Sequence, residues 1–265
     1  MKGVIPYDDI TKPLLKQIDR MASATGRWNS DILEAMLDYI LWNFDPMGKP
    51  PARHWEWSRE ETTMLHEMML TYFRQMEYAL ARKQWYDMFG DLFMAWMGDK
   101  KYRGQCFTPA DVCDMMAECT LGDRILDEPT ASIRAFGKRI TVCDCACGSG
   151  RTLLAGAAYF LKKHAKKPYL IAEDISFMCC KMSAVNFMVH GCFGEVVCHD
   201  TLIEPDEVRV GYVVNEGIYP FPGIPTVRVE CDPDKLVATS LWRMRKRKEE
   251  EPQPKRQEAV QLSLF

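Results

Sequence analysis

The sequence lacks a membrane segment and a secretion signal. It contains no run of about 18 apolar residues free of charges, the length that a membrane-spanning helix requires. Residues 1–9 carry charged side chains before any apolar signal region begins. We therefore expect a cytoplasmic protein that makes no contact with a membrane.

A strong charge of either sign is also missing. The 34 Lys and Arg residues nearly balance the 37 Asp and Glu residues, which leaves a net charge of −3. Nucleic-acid-binding domains are often strongly basic, and this chain is not. Because binding depends on local patches of charge, the overall balance does not exclude DNA as a partner.

Cysteine is plentiful, but the context of a disulfide framework or a metal site is lacking. The chain has 11 cysteines, yet its length and the missing secretion signal argue against disulfides. Cys143, Cys145 and Cys147 alternate along a predicted buried strand, so we interpret them as small apolar side chains. No His/Cys pair stands at a spacing typical of zinc ligands, and we expect no metal ion.

Residues 1–100 have the pattern of a helical domain. Apolar residues recur at helical spacing within 33–41 and again within 65–76, and a third helix is predicted over residues 85–96. Ser58 and Glu61 have the spacing of a capping box, which predicts the start of the second of these helices. The apolar stripes are typical of a protein core, and this part of the chain shows no candidate catalytic group.

The pattern changes near residue 140 to short apolar runs that alternate with helices. Strands are predicted over residues 140–147, 169–175, 195–199 and 210–214, and helices over residues 151–164 and 177–190. This order of strands and helices favours an α/β domain with a parallel sheet, which we assign to residues 101–240. From residue 241 the composition is highly charged and predicts a flexible tail or a frayed helix, up to residue 265.

A glycine loop at residues 144–150 closes the first predicted strand and opens a helix. Gly148 and Gly150 allow the backbone to turn sharply and to approach a ligand, and the helix start offers free N–H groups. Leu153 takes the last position of a G-x-G-x-x-G pattern, so the loop by itself is weak support for nucleotide binding.

Two carboxylates strengthen the case for this loop. Asp174 ends the second predicted strand, where a carboxylate can accept hydrogen bonds from both hydroxyls of a ribose. Asp200 follows the third strand, where it can accept a hydrogen bond from an adenine amino group. Since open α/β sheets bind ligands at the carboxyl ends of their strands, we predict a nucleotide-like cofactor at this edge.

Four motifs together resemble those of N6-adenine DNA methyltransferases, and the modification subunit of type I restriction–modification systems is the most similar form. They are Gln-Cys-Phe-Thr-Pro at 105–109, Asp-Cys-Ala-Cys-Gly-Ser-Gly at 144–150, Ala-Glu-Asp-Ile at 172–175 and His-Asp-Thr-Leu at 199–202. The resemblance covers roughly residues 85–215. It implies a Rossmann-like core that binds S-adenosylmethionine and an N-terminal helical domain, and it implies DNA as a partner. The chain has no room for all the strands of a complete methyltransferase sheet, so we expect a truncated sheet.

The resemblance also implies roles for individual residues. Those that would border the methionine part of the cofactor are Phe107, Thr108 and Pro109. Those that would form the cofactor loop are Asp144, Ala146, Gly148 and Gly150. Asp174 would hold the ribose, and Asp200 would accept a hydrogen bond from the adenine amino group.

The chain departs from this family at the catalytic motif. After the fourth strand the family has Asn or Asp, two prolines and an aromatic residue, which hold a flipped-out target base. Here Asn215 stands in that place, Glu-Gly-Ile replaces the prolines and the aromatic residue, and Tyr219 follows one residue late. Two readings stay open: a divergent enzyme with Asn215 and Tyr219 in its catalytic pocket, or a protein that binds a cofactor or a partner without methylating. A methyltransferase that acts on a protein amide is a third.

The last five residues, 261–265, have the sequence Gln-Leu-Ser-Leu-Phe. They resemble the pentapeptide with which bacterial replication and repair proteins bind the sliding clamp. The Gln offers hydrogen bonds, and Leu264 and Phe265 offer apolar anchors for a pocket. The alternative is an ordinary amphipathic C-terminus.

Overall fold

The computed structural model describes residues 7–48, 56–82, 85–97, 107–121, 141–164, 168–202, 207–216 and 224–250. Within these ranges five helices precede the first strand; they are α1 (Tyr7–Thr25), α2 (Asn29–Asn43), α3 (Arg59–Leu80), α4 (Met88–Met97) and α5 (Ala110–Leu121). No helix in these ranges is long and apolar enough to cross a membrane.

Helix α3 begins at the predicted capping box. The Ser58 side chain accepts a hydrogen bond from the backbone N–H of Glu61 at 3.2 Å, and the Glu61 carboxylate accepts one from the N–H of Ser58 at 2.7 Å. These two bonds satisfy backbone donors that have no partner inside the helix. The sequence pattern therefore located this helix start correctly.

A five-stranded sheet follows the helices, in the spatial order β1-β2-β3-β4-β5. Its strands are β1 (Thr141–Asp144), β2 (Tyr169–Asp174), β3 (Phe193–Cys198), β4 (Val210–Val214) and β5 (Val227–Glu230). Helices α6 (Arg151–His164) and α7 (Phe177–Val189) connect β1, β2 and β3, which are parallel to one another. The predicted α/β class is confirmed.

The expectation that the parallel sheet continues through β4 is wrong. Strand β4 is antiparallel to β3, with Val210 opposite Cys198 and Val214 opposite Gly194, and β5 is antiparallel to β4. The reason lies in the connection over residues 199–209, which is shorter than the dozen or more residues that a crossover helix between parallel strands requires. The chain turns back at the end of β3, so β4 ends where β3 begins.

One hydrophobic core joins the N-terminal helices to the sheet. It contains buried side chains of α1 to α4, of α6 and α7, and of the strands. Examples are Leu37 and Met68 on the helical side and Val185 and Val196 on the α/β side. The predicted domain boundary after residue 100 lies outside the described residues, and the described helices on its N-terminal side share their core with the sheet.

Helix α8 (Val237–Glu250) includes residues 241–250, the beginning of the segment for which a flexible tail or a frayed helix was predicted. Its first turn packs on the second face of the sheet, in a cluster that includes Tyr169, Val197 and Ala238. Burial of these apolar side chains fixes the helix start, and the Arg, Lys and Glu residues that follow have good helix propensity. Residues 251–265 lie outside the described part of the chain.

The cysteines near the glycine loop differ from the expectation. Cys147 is buried, but Cys143 and Cys145 are exposed. Strand β1 ends at Asp144 and forms one edge of the described sheet, so the side chains on one of its faces are less covered than those of β2. The interpretation of all three as buried apolar residues is therefore wrong for two of them.

Candidate functional site

The glycine loop makes a tight turn between β1 and α6. Gly148 has φ +56° and Gly150 has φ +81°, backbone conformations that L-residues with side chains rarely adopt. A Cβ atom on Gly148 would lie 3.0 Å from the ring of Phe107, and one on Gly150 would lie 3.0 Å from the Ser183 hydroxyl. Both glycines are therefore required by the conformation and by close neighbours.

Asp174 at the end of β2 is tied to this loop. Its Oδ2 accepts a hydrogen bond from the backbone N–H of Gly148 at 3.0 Å, and its Oδ1 accepts one from Ser176 N–H at 2.8 Å. A carboxylate offers roughly four acceptor positions, so acceptor capacity is left for a ligand. Burial raises the pKa of Asp174, the backbone hydrogen bonds oppose that shift, and the nearby Asp144 raises it further.

Asp144 stabilises the first turn after β1. Its Oδ1 accepts a hydrogen bond from the N–H of Ala146 at 3.1 Å, and its Oδ2 accepts one from the Thr152 hydroxyl. The carboxylate thus connects the strand end to helix α6. The sequence pattern of the loop did not predict the contact between Asp144 and Thr152.

A cavity of about 220 Å³ lies over the loop. The residues that line it are Phe107, Thr108, Met116, Asp144, Ala146, Cys147, Gly148, Ser149, Arg151 and Thr152. Five predicted site residues from the segment before α5 and from the loop therefore share one cavity. Pro109 lies directly before α5, where its carbonyl accepts a hydrogen bond from Cys113 N–H at 3.0 Å, and it does not line the cavity.

Asp200 follows β3 at the same edge of the sheet as Asp174. Its Oδ1 accepts a hydrogen bond from Leu202 N–H at 3.0 Å, which forms a local turn. Asp200 lines a separate, smaller cavity of about 150 Å³ with Glu207, Val208 and Arg209. The two carboxylates thus lie at the carboxyl ends of neighbouring parallel strands, where α/β sheets bind ligands.

Asn215, predicted to be a catalytic residue, lies at the edge of the sheet opposite to Asp174. Because β4 is antiparallel, Asn215 follows the strand end that pairs with the start of β3. Its side-chain nitrogen donates to the carbonyl of Cys192 at 2.8 Å and to that of Met188 at 3.3 Å. Its oxygen accepts from Thr226 N–H at 3.0 Å.

These bonds connect Asn215 to the residues that precede β3 and β5 and give it a structural role. Its φ of +55° fits this role, because Asn adopts the left-handed region more readily than most side chains. Tyr219, the other predicted catalytic residue, lies outside the described residues. No catalytic group of the family motif is therefore brought to the glycine loop by the described part of the chain.

Sequence reasoning missed the groups that support the loop from behind. The Ser183 hydroxyl donates to the Gly148 carbonyl at 2.9 Å, and the Asn186 side chain donates to the Ser149 carbonyl at 2.9 Å. Both residues lie on α7, where the sequence shows only an apolar stripe with scattered polar positions. Asp87 contacts Ser149 and Arg151. An Asp directly before a helix is a typical N-cap residue, but that pattern does not predict a contact with the glycine loop.

The fold and the site together define a class of protein. Parallel strands joined by helices, a glycine loop after the first strand and acidic residues after the next two strands form the arrangement in which α/β proteins hold a nucleotide-like cofactor. The sequence profile of the N-6 DNA methylase family matches residues 84–220, which is more than half of the chain. The chain therefore belongs to the N-6 DNA methylase family.

Solved structures and curated proteins were also compared with the chain. Among solved structures, the chain is similar to a class I S-adenosylmethionine-dependent methyltransferase from Listeria monocytogenes, at 15% identity and a TM-score of 0.42. The similarity covers 80% of this chain and 61% of that one, so the chain spans less than two thirds of that protein's length. No curated protein gave a significant match.

S-adenosylmethionine is the cofactor of this methylase family, and the loop region fits it. The left-handed Gly148 and Gly150 leave the loop without side chains that would fill the space above it. The Asp174 carboxylate keeps acceptor capacity beside the loop, and Phe107 and Thr108 border the cavity above the loop. The nearby residues thus supply both the space and the acceptors that this cofactor requires.

Proposed function

We propose that this protein transfers a methyl group from S-adenosylmethionine to the N6 amino group of adenine in DNA. The observation that carries the proposal is the cavity over the glycine loop, which joins Phe107 and Thr108 to Asp144 and Gly148. Membership of the N-6 DNA methylase family supports the same reaction. DNA is accordingly the proposed macromolecular partner.

Contacts of the described residues support the cofactor-binding part of this proposal. We assign the ribose hydroxyls to Asp174, because its carboxylate has free acceptor positions beside the loop. We assign the adenine amino group to Asp200, one strand further along the same edge. Phe107, Thr108 and Pro109 would border the methionine part.

S-adenosylmethionine supplies a methyl group on a positively charged sulfur. The protein has to bring the target amino nitrogen to that methyl group, which requires the adenine to leave the DNA stack. We assign Tyr219 as an aromatic surface for the flipped base. The Asn215 side chain bonds to backbone groups at the far edge of the sheet, so it is not assigned to the target amino group.

The position of Asn215 also favours a second candidate function. A chain that binds the cofactor but lacks the hydrogen-bond acceptor for the target amino group would bind DNA or a partner protein without transferring a methyl group. The hydrogen bonds from Asn215 to Cys192 and Met188 are the specific observation in its favour. The two functions share the cofactor cavity and differ in chemistry.

One experiment separates the two functions. The full chain is incubated with methyl-labelled S-adenosylmethionine and DNA that carries no adenine methylation. The DNA is then digested, and the nucleosides are separated. The expected result is label in N6-methyl-2′-deoxyadenosine. The matched control is the same reaction with the Asp174→Ala variant. Cofactor binding without label in DNA would favour the second function, and label in added protein would favour amide methylation.

We further propose that residues 261–265 bind the sliding clamp. The order of a Gln and two apolar anchors supports this. Such a short peptide binds weakly alone and gains from tethering to a second binding event, here the contact of the same protein with DNA. A protein that works on cytoplasmic DNA would fit this partner.

A further inference from the structure

Asp87 is a buried carboxylate with four hydrogen-bond partners. Its Oδ1 accepts from Gly90 N–H at 2.8 Å and from the Asn186 side chain at 2.7 Å. Its Oδ2 accepts from the Ser149 hydroxyl at 2.5 Å and from the Arg151 Nε at 3.0 Å. The side chain is only 1% exposed, so nothing in solvent can replace these partners.

The four partners come from three separate parts of the fold. Gly90 belongs to α4, Asn186 to α7, and Ser149 and Arg151 to the glycine loop and the start of α6. Asp87 itself directly precedes α4. The carboxylate therefore attaches α4 to the loop at Ser149 and Arg151, whereas Asp174 contacts the loop at Gly148.

Several neighbours show that this contact is close and specific. A Cβ atom on Gly90 would lie 2.0 Å from Asp87 Oδ2 and 2.6 Å from the Ser149 hydroxyl, so only glycine fits there. The Asn186 nitrogen that donates to Asp87 also donates to the Ser149 carbonyl at 2.9 Å. Ser149 is thus held at its hydroxyl by Asp87 and at its carbonyl by Asn186.

The chemistry requires a carboxylate at position 87. All four partners are donors, and a carboxylate is the side chain that accepts on both oxygens without donating. The negative charge is balanced by Arg151, which also contacts Asp91. A buried charge without such a partner would be strongly destabilising, so Asp87 and Arg151 depend on one another.

We propose that Asp87 is a positioning residue for the cofactor: it holds Ser149 and Arg151 so that the glycine loop keeps the conformation that binds S-adenosylmethionine. The inference rests on the proposed cofactor site. It means that the segment before α4 takes part in cofactor binding through Asp87, although none of the residues of α1 to α3 lines the cavity over the loop.

The test uses calorimetry of the full chain with S-adenosylmethionine and, separately, with S-adenosylhomocysteine. Asp87→Asn keeps the shape of the side chain but replaces one carboxylate oxygen with an NH₂ group, a donor that would face the donor of a partner residue. Ser149→Ala removes only the hydroxyl. We expect Asp87→Asn to weaken binding about tenfold or more, and Ser149→Ala to weaken it about threefold or more.

The double variant distinguishes positioning from general destabilisation. Because both single changes break the same Asp87–Ser149 contact, the double variant should bind more tightly than the product of the two single effects predicts. All titrations are made at a temperature where circular dichroism shows each variant to be folded. A purely structural role would lower the unfolding midpoint and leave the affinity of the folded protein unchanged.

Asp38→Asn is the matched control. Asp38 is also buried, with a 3% exposed side chain, and pairs with Lys181 across α2 and α7 at 2.8 Å, away from the loop. We expect this variant to lower the unfolding midpoint and to change the cofactor affinity by less than about twofold.

Three results would overturn the proposal. One is a folded Asp87→Asn protein with wild-type affinity; another is a loss in Asp38→Asn as large as in Asp87→Asn. The third applies if Asp87→Asn does not fold: a folded Ser149→Ala protein with wild-type affinity would then refute the proposal. A wild-type protein that binds neither ligand would instead overturn the cofactor site itself, and the role of Asp87 with it.

Discussion

The Asp174 carboxylate accepts a hydrogen bond of 3.0 Å from the backbone N–H of Gly148. This contact joins the end of β2 to the loop that follows β1, although the two residues stand 26 positions apart in the chain. It fixes the loop at the point where its backbone enters the left-handed region. A second hydrogen bond, from Ser176 N–H at 2.8 Å, holds the other oxygen of the carboxylate.

Removal of the Asp174 carboxylate should weaken cofactor binding. We expect the wild type to bind S-adenosylmethionine in the micromolar range, equivalent to about 8 kcal/mol. Asp174→Ala loses charge-assisted hydrogen bonds worth about 1.5–3 kcal/mol, so the dissociation constant should rise roughly ten- to hundredfold. Calorimetry of both proteins measures this change.

The control for this measurement is Asp19→Ala. Asp19 is an exposed carboxylate of α1 that accepts a hydrogen bond from Asn29 at 2.7 Å, remote in sequence from the loop. Its removal should leave the affinity unchanged. Equal affinities for wild type and Asp174→Ala would remove Asp174 from the ribose site, and no heat from the wild type would remove the site altogether.

Gly148→Ala should lower both stability and cofactor affinity. The new Cβ would be placed on a residue with φ +56°, and 3.0 Å from the Phe107 ring. The left-handed conformation alone costs about 1–2 kcal/mol for a residue with a side chain, and the displaced Phe107 adds to this cost. Urea unfolding and calorimetry measure the two effects.

Gly26→Ala isolates the conformational part. Gly26 has φ +68°, and no atom lies within 4 Å of a Cβ placed there. This variant should show the conformational cost in unfolding and wild-type affinity for the cofactor. If Gly148→Ala were as stable as Gly26→Ala and bound as tightly as the wild type, the close contact with Phe107 would have no functional importance.

Asn215→Ala should destabilise the fold without changing the cofactor affinity. The variant leaves the carbonyl of Cys192 and the N–H of Thr226 without their side-chain partner, at an expected cost of about 2–4 kcal/mol. It also places Ala at φ +55°, which adds strain. Chemical unfolding and calorimetry of the same preparation separate stability from binding.

A different outcome would restore the catalytic interpretation of Asn215. A variant with wild-type stability that binds S-adenosylmethionine normally but transfers no methyl group to DNA would show that Asn215 acts in the reaction. Asn215→Gly is the matched variant for backbone conformation, because Gly tolerates positive φ. It should recover the part of the stability that is lost through strain.

Glu195 should make the stability depend on pH between about 4.3 and 7. Burial raises the pKa of Glu195 to about 7, although hydrogen bonds from Val237 N–H, Ala238 N–H and the Tyr169 hydroxyl oppose the shift. In the unfolded chain the pKa is about 4.3, so the folded state binds the proton at a higher pH. The stability from this group is fully present below about pH 4.3 and is lost as the pH rises through 7.

Glu195→Gln provides the comparison, because Gln does not titrate. The free energy of unfolding of the wild type minus that of Glu195→Gln should be larger near pH 5 than near pH 8, by about 1–3 kcal/mol. Urea unfolding at the two pH values measures it. A difference that is independent of pH would show that Glu195 keeps an ordinary pKa in the folded protein.

Deletion of residues 261–265 should abolish binding to the sliding clamp. Leu264 and Phe265 are the proposed apolar anchors, so replacing both with Ala should have the same effect as the deletion. Ser263→Ala, inside the same peptide, should bind like the wild type. Surface plasmon resonance with immobilised clamp measures all four proteins, and binding that survives the deletion would refute the proposal.

The strands and helices of the α/β part could be predicted from the sequence because their signals are local. Apolar runs predicted the bounds of β2 and β4 to within one residue, and the apolar periodicity predicted the bounds of α6. The capping box at Ser58 is likewise complete within four residues. The glycine loop and Asp174 were identified because each stands at the end of a strand.

The direction of β4 and the surroundings of Asp87 could not be predicted in this way. The length of the connection over residues 199–209 contains the signal for an antiparallel return, but the alternation of predicted strands and helices favoured a parallel strand. Asp87 has a local role as an N-cap through Gly90 N–H. Its contacts with Ser149 and Asn186 join residues more than 60 positions apart, and no periodic pattern in the sequence predicts such contacts.

The sequence by itself determined the class of the protein, the position of its cofactor loop and most of its element bounds, because turn residues, caps and apolar periodicity act over a few residues. Tertiary structure decided which of the predicted site residues meet. It placed Phe107, Asp144 and Gly148 around one cavity and sent Asn215 to the far edge of the sheet. Strand direction and packing across the core set these distances, and both depend on contacts between residues far apart in the chain.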